Sequence, residues 1–193
     1  MGASLAAQGA KPLESIASHE TQTKRPIPKD MKTKKLVTLL KKAYAAEHET
    51  VQNYLANSAW LDGIGAHEVA EALAKDVPDE LGHAQQLAHR LKQIGECPPG
   101  SMDLDRTQIG LQPSLDPTDV RHVLKGAIAA EHDAIDTYRD IIDVADTVDP
   151  VTQDLAIKLL ADEDGHRTLL EGFLKSLDRE EARPNFTEAH AIH

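Results

Sequence analysis

The feature that most restricts the fold of this 193-residue chain is a repeated arrangement of glutamate and histidine. Residues 40–48, LKKAYAAEH, match residues 124–132, LKGAIAAEH, at an offset of 84. Further along, ELGH at 80–83 matches EDGH at 163–166 at an offset of 83. Each half of the chain therefore carries a lone glutamate followed, 33 or 32 residues later, by a Glu-x-x-His motif.

Helical periodicity surrounds both copies of the repeat. Only 3% of the residues are aromatic, and the abundance of Ala, Leu, Glu and Asp favours helices with an aliphatic core. Apolar residues recur at helical spacing in four stretches: about 35–61, about 66–94, one that begins after Asp116-Pro117, and one that begins at Asp149-Pro150 and ends near 177. The links between the first and second stretches and between the third and fourth are short, whereas the link between the second and third, about residues 96–117, is long. The pattern predicts an all-α, antiparallel four-helix bundle with one long crossover between helices 2 and 3.

Both ends of the chain differ in composition from this body. Residues 1–34 contain three prolines and six basic against three acidic residues, a net charge of +3, whereas the whole chain carries −11. We expect a flexible basic tail over 1–34, the bundle over 35–178 and a second tail over 179–193. A basic tail can hold DNA phosphates, although a solvated mobile arm is the simpler interpretation. The overall acidity argues against a protein whose whole surface binds nucleic acid.

The cysteine count and the hydropathy of the chain restrict the cellular location that we expect. A single cysteine, Cys97, excludes an internal disulfide framework and any all-cysteine metal site. No apolar run reaches transmembrane length, and the first ten residues lack the basic start of a signal peptide. We therefore expect a cytoplasmic protein that does not associate with membranes.

The repeated glutamates and histidines occupy core positions in the helical pattern. Glu and His three residues apart share one face of a helix. Four buried carboxylates would repel one another, and no lysine or arginine occupies the same positions to compensate. Two divalent cations would balance the four negative charges, and oxygen and nitrogen ligands without thiolate favour iron or manganese over structural zinc. The sequence predicts that two such ions bind Glu47, Glu80, His83, Glu131, Glu163 and His166.

A tyrosine follows seven residues after each lone glutamate, at Tyr54 and Tyr138. Either tyrosine would hydrogen-bond a metal-bound carboxylate or lend an electron, and a packing role in the core is an equal alternative. His48 and His132 come directly after the lone glutamates but point about 100° away around the helix. We do not predict these two histidines to be ligands.

The order of a lone Glu and a Glu-x-x-His, repeated over four helices, resembles the ferritin-like di-iron superfamily. Within it the chain is similar to bacterioferritin and to Dps-like ferritins that carry a bacterioferritin-type site. The similarity covers about residues 35–177 and is strongest at AAEHETVQNY (45–54), DELGHA (79–84) and LADEDGH (160–166). The fold that this resemblance implies is the ferritin-like bundle.

The resemblance also implies roles for the six residues and for the iron. Glu80 and Glu163 would bridge two iron ions in each subunit, and each ion would be completed by a glutamate and a histidine, Glu47 with His83 and Glu131 with His166. Haem-binding bacterioferritins have a methionine directly after the second-helix glutamate. Leu81 stands there, so haem is not expected.

The function that the resemblance implies is a ferroxidase, which oxidises Fe²⁺ to Fe³⁺ with dioxygen or hydrogen peroxide for iron storage and protection from oxidative stress. A bacterioferritin-type fifth helix is not evident after Leu177, which favours a smaller, twelve-subunit Dps-like shell as the homo-oligomer. Two alternatives remain open. One is a di-iron or di-manganese oxidase or peroxidase that forms no shell, and the other is a DNA-associated protective protein that uses its basic tail.

Overall fold

The computed structural model describes residues 29–182, which form four α-helices and no β-strand. The helices are α1, Lys29–Trp60; α2, Ala66–Gln93; α3, Val120–Ala145; and α4, Pro150–Glu181. None of these helices combines the length and the apolar character that crossing a lipid bilayer requires. The predicted all-α bundle is confirmed.

The helices pair as two hairpins that pack on each other. α1 contacts α2 along most of its length, and α3 contacts α4 in the same way, since only residues 61–65 and 146–149 separate the members of each pair. α1 and α3 form the main contact between the hairpins. The crossover, residues 94–119, contains two single-turn 3₁₀ helices, Ser101–Asp103 and Ile109–Leu111.

Two helices extend beyond their predicted bounds. α1 begins at Lys29, six residues before the predicted start, and Asp30 in its first turn interacts favourably with the helix dipole. α4 continues to Glu181, three residues past the predicted end of the bundle. Most of the two predicted tails, residues 1–28 and 183–193, and with them the predicted DNA contact, lie outside the described residues.

α3 begins later than the sequence suggests. The expected cap, Asp116, accepts hydrogen bonds from the backbone N–H of Thr118 at 2.9 Å and from its hydroxyl at 2.7 Å. This local turn competes with the helix. Asp119 caps α3 instead and accepts the backbone N–H of His122 at 2.9 Å.

α4 begins where the sequence predicts, at Asp149-Pro150. The Asp149 carboxylate accepts the backbone N–H of Thr152 at 3.1 Å, and Pro150 occupies the first turn, where no N–H is needed. Arg90 of α2 donates two hydrogen bonds of 2.7 Å to the same carboxylate. The cap therefore also fastens α4 to the end of α2.

The crossover is held against the bundle by buried polar side chains of α1. The Glu49 carboxylate accepts the backbone N–H groups of Thr107 at 2.8 Å and Gln108 at 3.1 Å. Asn57 donates to the carbonyl oxygen of Leu111 at 2.8 Å. These bonds pair backbone groups of the crossover with side chains of α1 and so fix its position on the bundle.

One glycine permits the crossover to approach α3 closely. A Cβ atom at Gly126 would lie 2.3 Å from the carbonyl oxygen of Gly110. No other residue type fits there without moving the backbone, so the absence of a side chain at this point positions the crossover.

A polar layer divides the apolar core into two clusters. One cluster, at the end formed by the start of α1 and the end of α2, includes Leu40, Leu91, Ile141 and Leu159. The other, at the opposite end, includes Val69, Leu73, Leu124 and Leu170. Between them lie buried acidic and histidine side chains.

Candidate metal centre

Halfway along the bundle each of the four helices carries a buried glutamate. Glu47, Glu80, Glu131 and Glu163 are only 1–2% exposed. His83 and His166 follow one turn after the glutamates of α2 and α4; His83 is buried and His166 is partly buried. All six side chains predicted as ligands therefore come together in one place.

The first group consists of Glu47, Glu80, His83 and Glu163. One ligand atom from each of these residues lies within 4.8 Å of those of the other three. Nδ1 of His83 is 2.9 Å from Oε1 of Glu163, 3.6 Å from Oε2 of Glu47 and 3.8 Å from Oε2 of Glu80. Three helices, α1, α2 and α4, build this group.

The second group consists of Glu80, Glu131, Glu163 and His166, whose ligand atoms also lie within 4.8 Å of one another. Nδ1 of His166 is 3.2 Å from Oε1 of Glu80 and 3.4 Å from Oε2 of Glu163. Glu80 and Glu163 belong to both groups. The two groups could therefore hold two adjoining cations that share two carboxylates.

Several atoms at the centre have no hydrogen-bond partner among the described residues. They are Oε1 of Glu80, both carboxylate oxygens of Glu163, and Nδ1 of His83 and of His166. These atoms contact one another as ion pairs without hydrogen-bond geometry, and buried lone pairs that accept no hydrogen bond are suited to a cation. The donor set of oxygen and imidazole nitrogen fits iron or manganese.

The ionisation of the centre reflects crowding of like charges. Burial raises the pKa of Glu80, and the charges of Glu47 and Glu163 raise it further. Burial disfavours a charged imidazole at His83, but contacts with Glu163 and Glu47 outweigh this and raise its pKa to about 10. Burial also disfavours ionised Glu163, yet the rings of His166 and His83 lower its pKa to about 2. Without metal the centre retains protons, which a bound cation would have to displace.

Two tyrosines hold the lone glutamates from the opposite half of the chain. The Tyr54 hydroxyl donates to Oε1 of Glu131, and the Tyr138 hydroxyl donates to Oε1 of Glu47. Both tyrosines are fully buried. Burial and the charges of these glutamates raise the pKa of each tyrosine, so each remains a neutral donor. Both tyrosines therefore donate hydrogen bonds to the lone glutamates, and their part in metal binding stays a prediction.

The centre opens to the surface between α2 and α4. A cleft of about 470 Å³ lies there and is lined in part by Asp79, Gly82, Asp162, Gly165 and the two motif histidines. Oδ2 of Asp162 is 3.5 Å from Nε2 of His83. The cleft gives small ions a route from solvent to the histidines.

The remaining histidines next to the lone glutamates do not join the centre. His48 packs edge-on against the ring of Tyr44, with the ring centroids 4.5 Å apart. His132 is exposed. The sequence analysis missed Asp76, a buried acid whose ligand atom lies within 4.8 Å of those of Asp79 and His166. The sequence indicates this residue because an acid stands at a position of α2 where the helical pattern predicts an apolar side chain.

Comparison with protein families shows that the ferritin-like domain family matches residues 37–180. Bacterioferritin of Rhodobacter capsulatus is 28% identical over 146 residues, which cover 75% of this chain and 86% of that protein. The DNA protection during starvation protein of Pyrococcus furiosus is 28% identical over 144 residues, which cover 72% of this chain and 77% of the relative.

Solved structures share the fold. Ferritin-like diiron-carboxylate proteins from Bacillus anthracis superpose with a TM-score of 0.63 at 26% identity, over 74% of this chain and 97% of that one. The bacterioferritin-related protein from Bacteroides fragilis, a dodecameric thioferritin, superposes with a TM-score of 0.67 at 22% identity. That comparison covers 77% of this chain and 89% of the other.

Proposed function

The chain belongs to the ferritin-like domain family, and from this membership we propose that it is a ferroxidase that binds two Fe²⁺ ions per subunit and oxidises them to Fe³⁺ for storage. The observation that carries the proposal is the pair of overlapping ligand groups, which share Glu80 and Glu163. Two ions held by the same two carboxylates lie close enough to give one electron each to one oxidant molecule.

Each cation position has its own glutamate, whose two oxygens have separate tasks. At Glu47, Oε1 accepts the hydroxyl of Tyr138, while Oε2 lies 3.6 Å from Nδ1 of His83 and faces the centre. Tyr54 holds Glu131 in the same manner. The tyrosines thereby orient the carboxylates before an ion arrives, which lowers the cost of ordering them on binding.

The iron is the substrate and supplies two electrons, one from each Fe²⁺. Dioxygen that accepts two electrons and two protons becomes hydrogen peroxide, and hydrogen peroxide that accepts the same number becomes two molecules of water. The four carboxylates favour this oxidation because anionic oxygens stabilise a triply charged ion more than a doubly charged one. Protons displaced from the centre on binding leave the oxygens free to hold the ion.

The surroundings of the centre suit a supply of cations from solvent. Asp79 and Asp162 are exposed acids at the cleft between α2 and α4, and acidic clefts raise the local concentration of cations. We propose that the subunits close into a twelve-subunit shell in the cytoplasm, where Fe²⁺ is available and the ferric product is retained. Manganese is the other ion that this donor set would hold, and haem is not part of the proposal.

Anaerobic loading with two equivalents of Fe²⁺ per subunit, followed by oxygen or hydrogen peroxide, tests the ferroxidase activity. Glu80→Ala removes a ligand from both ions, so we expect the rate of the ferric absorbance increase to fall more than about tenfold. Glu71→Ala is the matched control, because Glu71 also lies on α2 but its side chain is 70% exposed. If Glu80→Ala oxidises iron as quickly as the parent, the proposal is wrong.

Light scattering of the purified protein tests the storage function separately. A closed shell gives a particle many times the 21.0 kDa mass of one chain. A monomer or dimer with ferroxidase activity would instead support the di-iron or di-manganese oxidase alternative, because so small an assembly has no interior in which to retain a mineral.

A further inference from the structure

An apolar groove of about 290 Å³ lies at the end of the bundle where α4 finishes. Three helices contribute apolar side chains to its lining: Val69, Leu124, Phe173 and Leu177. We propose that this groove binds the segment of the same chain that follows α4, residues 183–193, and that the Phe186 side chain inserts into it. Below, the groove is called the end groove.

The end groove presents apolar surface that is not covered by the described part of the chain. Ile64 lies at its edge and is fully exposed. Phe173 and Leu177 pack against the apolar cluster of that end but are only partly buried. Single exposed apolar residues are common on protein surfaces, whereas several around one concave site mark a docking surface. The lining therefore suits an apolar side chain.

The segment after α4 is long enough to reach the end groove. The described chain ends at Ala182, and Phe186 follows four residues later, which span up to about 14 Å when extended. Leu177 and Phe173 precede Ala182 by five and nine residues, about 8 and 14 Å along the axis of α4. Pro184 does not continue a helix, which favours a change of direction there. Phe186 is thus within reach of both lining residues.

The composition of the segment complements the end groove. The chain contains two phenylalanines, of which Phe173 lines the groove and Phe186 lies in the segment. Two aromatic rings in contact stabilise a structure beyond the effect of their buried area. Glu68 and Glu180 also line the groove, and neither forms an ion pair within the described residues. Arg183, the first residue of the segment, supplies the opposite charge.

Docking of Phe186 connects the two hairpins at a second place. The end groove takes one wall from α2, in the first hairpin, and the others from α3 and α4, in the second. The main contact between the hairpins is otherwise that of α1 with α3. A side chain held between Val69 and Phe173 contacts both hairpins, so it opposes their separation. This role is independent of iron.

Disulfide trapping in the full chain tests the position of the segment. A Cys97→Ser background removes the single native thiol. Glu68→Cys then places a thiol at the end groove, and Asn185→Cys places one beside Phe186. Under mild oxidation by glutathione disulfide, we expect an internal disulfide to form more than about tenfold faster than in a control pair, because docking raises the local concentration of the two thiols.

The control pair combines Gln85→Cys with Asn185→Cys. Gln85 is exposed like Glu68 but lies 17 residues further along α2, about 26 Å away. Adding Phe186→Ser to the Glu68→Cys pair should slow its disulfide to the rate of the control. Equal rates in the two pairs, or a rate that Phe186→Ser leaves unchanged, would overturn the proposal. A disulfide between two chains, seen as a doubled mass on a non-reducing gel, would assign the groove to a neighbouring copy and overturn docking within one chain.

Thermal unfolding of EDTA-treated protein provides a second measurement without introduced cysteines. Phe186→Ser should lower the midpoint by about 3–12 °C, because it removes a buried aromatic side chain. Thr187→Ala, a change at the neighbouring polar residue, is the matched control and should keep the midpoint of the parent. Equal midpoints for the two variants would contradict docking. Both variants should oxidise Fe²⁺ at the parent rate, so a failure of this proposal leaves the proposed function untouched.

Discussion

Replacing Glu80 by glutamine should make the metal-free protein more stable and its metal complex weaker. Glu80 shares a group with each of the other three buried glutamates, with ligand atoms no more than 4.8 Å apart. At an effective dielectric constant of 20, each ionised pair at that distance repels by about 3.5 kcal/mol. Burial raises the pKa of Glu131 as well, so two such terms remain, from Glu47 and Glu163. Their sum, about 7 kcal/mol, is comparable with the whole stability of a typical domain, about 5–15 kcal/mol, so the metal-free centre keeps Glu80 protonated.

The sign of the pH dependence follows from the raised pKa of Glu80, which burial and the charges of Glu47 and Glu163 produce. Above the pKa of an unfolded glutamate, about 4.3, the folded parent binds one more proton than the unfolded chain. Its stability therefore falls as the pH rises, by up to about 1.4 kcal/mol per pH unit. Glutamine at position 80 has no proton to lose, so its advantage over the parent should grow from about pH 5 to pH 8.

Thermal unfolding of EDTA-treated protein measures this difference. For a chain of this length 1 kcal/mol corresponds to about 2–4 °C, so the two midpoints should separate by about 3–6 °C per pH unit. Glu71→Gln, an exposed change on the same helix, should follow the parent. Assembly affects all three proteins equally if their particle sizes match.

Adding Co²⁺ should reverse the order. An ion present at 100 times its dissociation constant stabilises the folded state by about 2.7 kcal/mol, and two ions should raise the midpoint of the parent by about 10–20 °C. Glu80→Gln loses a ligand shared by both positions and should show little of this rise. A variant less stable than the parent at every pH without metal, with the same rise on adding Co²⁺, would refute the reasoning.

Two further substitutions test the framework around the centre. Gly126→Ala places a Cβ atom 2.3 Å from the carbonyl oxygen of Gly110 and should lower the free energy of unfolding by about 1–3 kcal/mol. Gly172→Ala, with open space around it, should raise it by about 0.5–1 kcal/mol. Equal thermal unfolding midpoints for the two variants would contradict this. Arg90→Ala removes the bidentate bond to Asp149 and should cost about 1.5–3 kcal/mol at neutral pH. Burial opposes ionisation of Asp149, but Arg90 outweighs it and lowers the pKa, so the loss seen by thermal unfolding should shrink as the pH falls below about 4.

The fold and the convergence of the six side chains could be predicted from the sequence because both follow from local spacing. The Glu-x-x-His motif places two groups on one face of a helix whatever the tertiary structure. Repetition of the motif, with a lone glutamate before each copy, requires the helices to meet there. The start of α4 was also predictable, since Asp149-Pro150 is a capping pair that no neighbouring group disturbs. That the six residues bind metal stays a prediction.

Other features depended on contacts that spacing does not reveal. Asp116-Pro117 has the composition of a helix start, but Thr118 captures the Asp116 carboxylate in a turn, and Asp119 caps α3 instead. The partners of Glu49 lie on the crossover, 58 and 59 residues away in sequence. The burial of Asp76 is indicated by its core position in the α2 pattern and by Leu159 at the corresponding position of the repeat, but its closeness to Asp79 and His166 is not.

The two hairpins contribute equally to the centre, and this equality has an evolutionary consequence. One hairpin alone supplies the glutamate of its first helix and the Glu-x-x-His of its second helix to one ligand group. The fourth ligand of that group is the shared glutamate of the other hairpin. A two-helix ancestor could therefore have assembled the same centre by associating with an identical copy, with both metal positions equivalent by symmetry. Once the copies were fused into one chain, mutations could alter one side without altering the other. Asp76 is buried on one side, where Leu159 stands on the other, and a symmetric dimer cannot have such a difference.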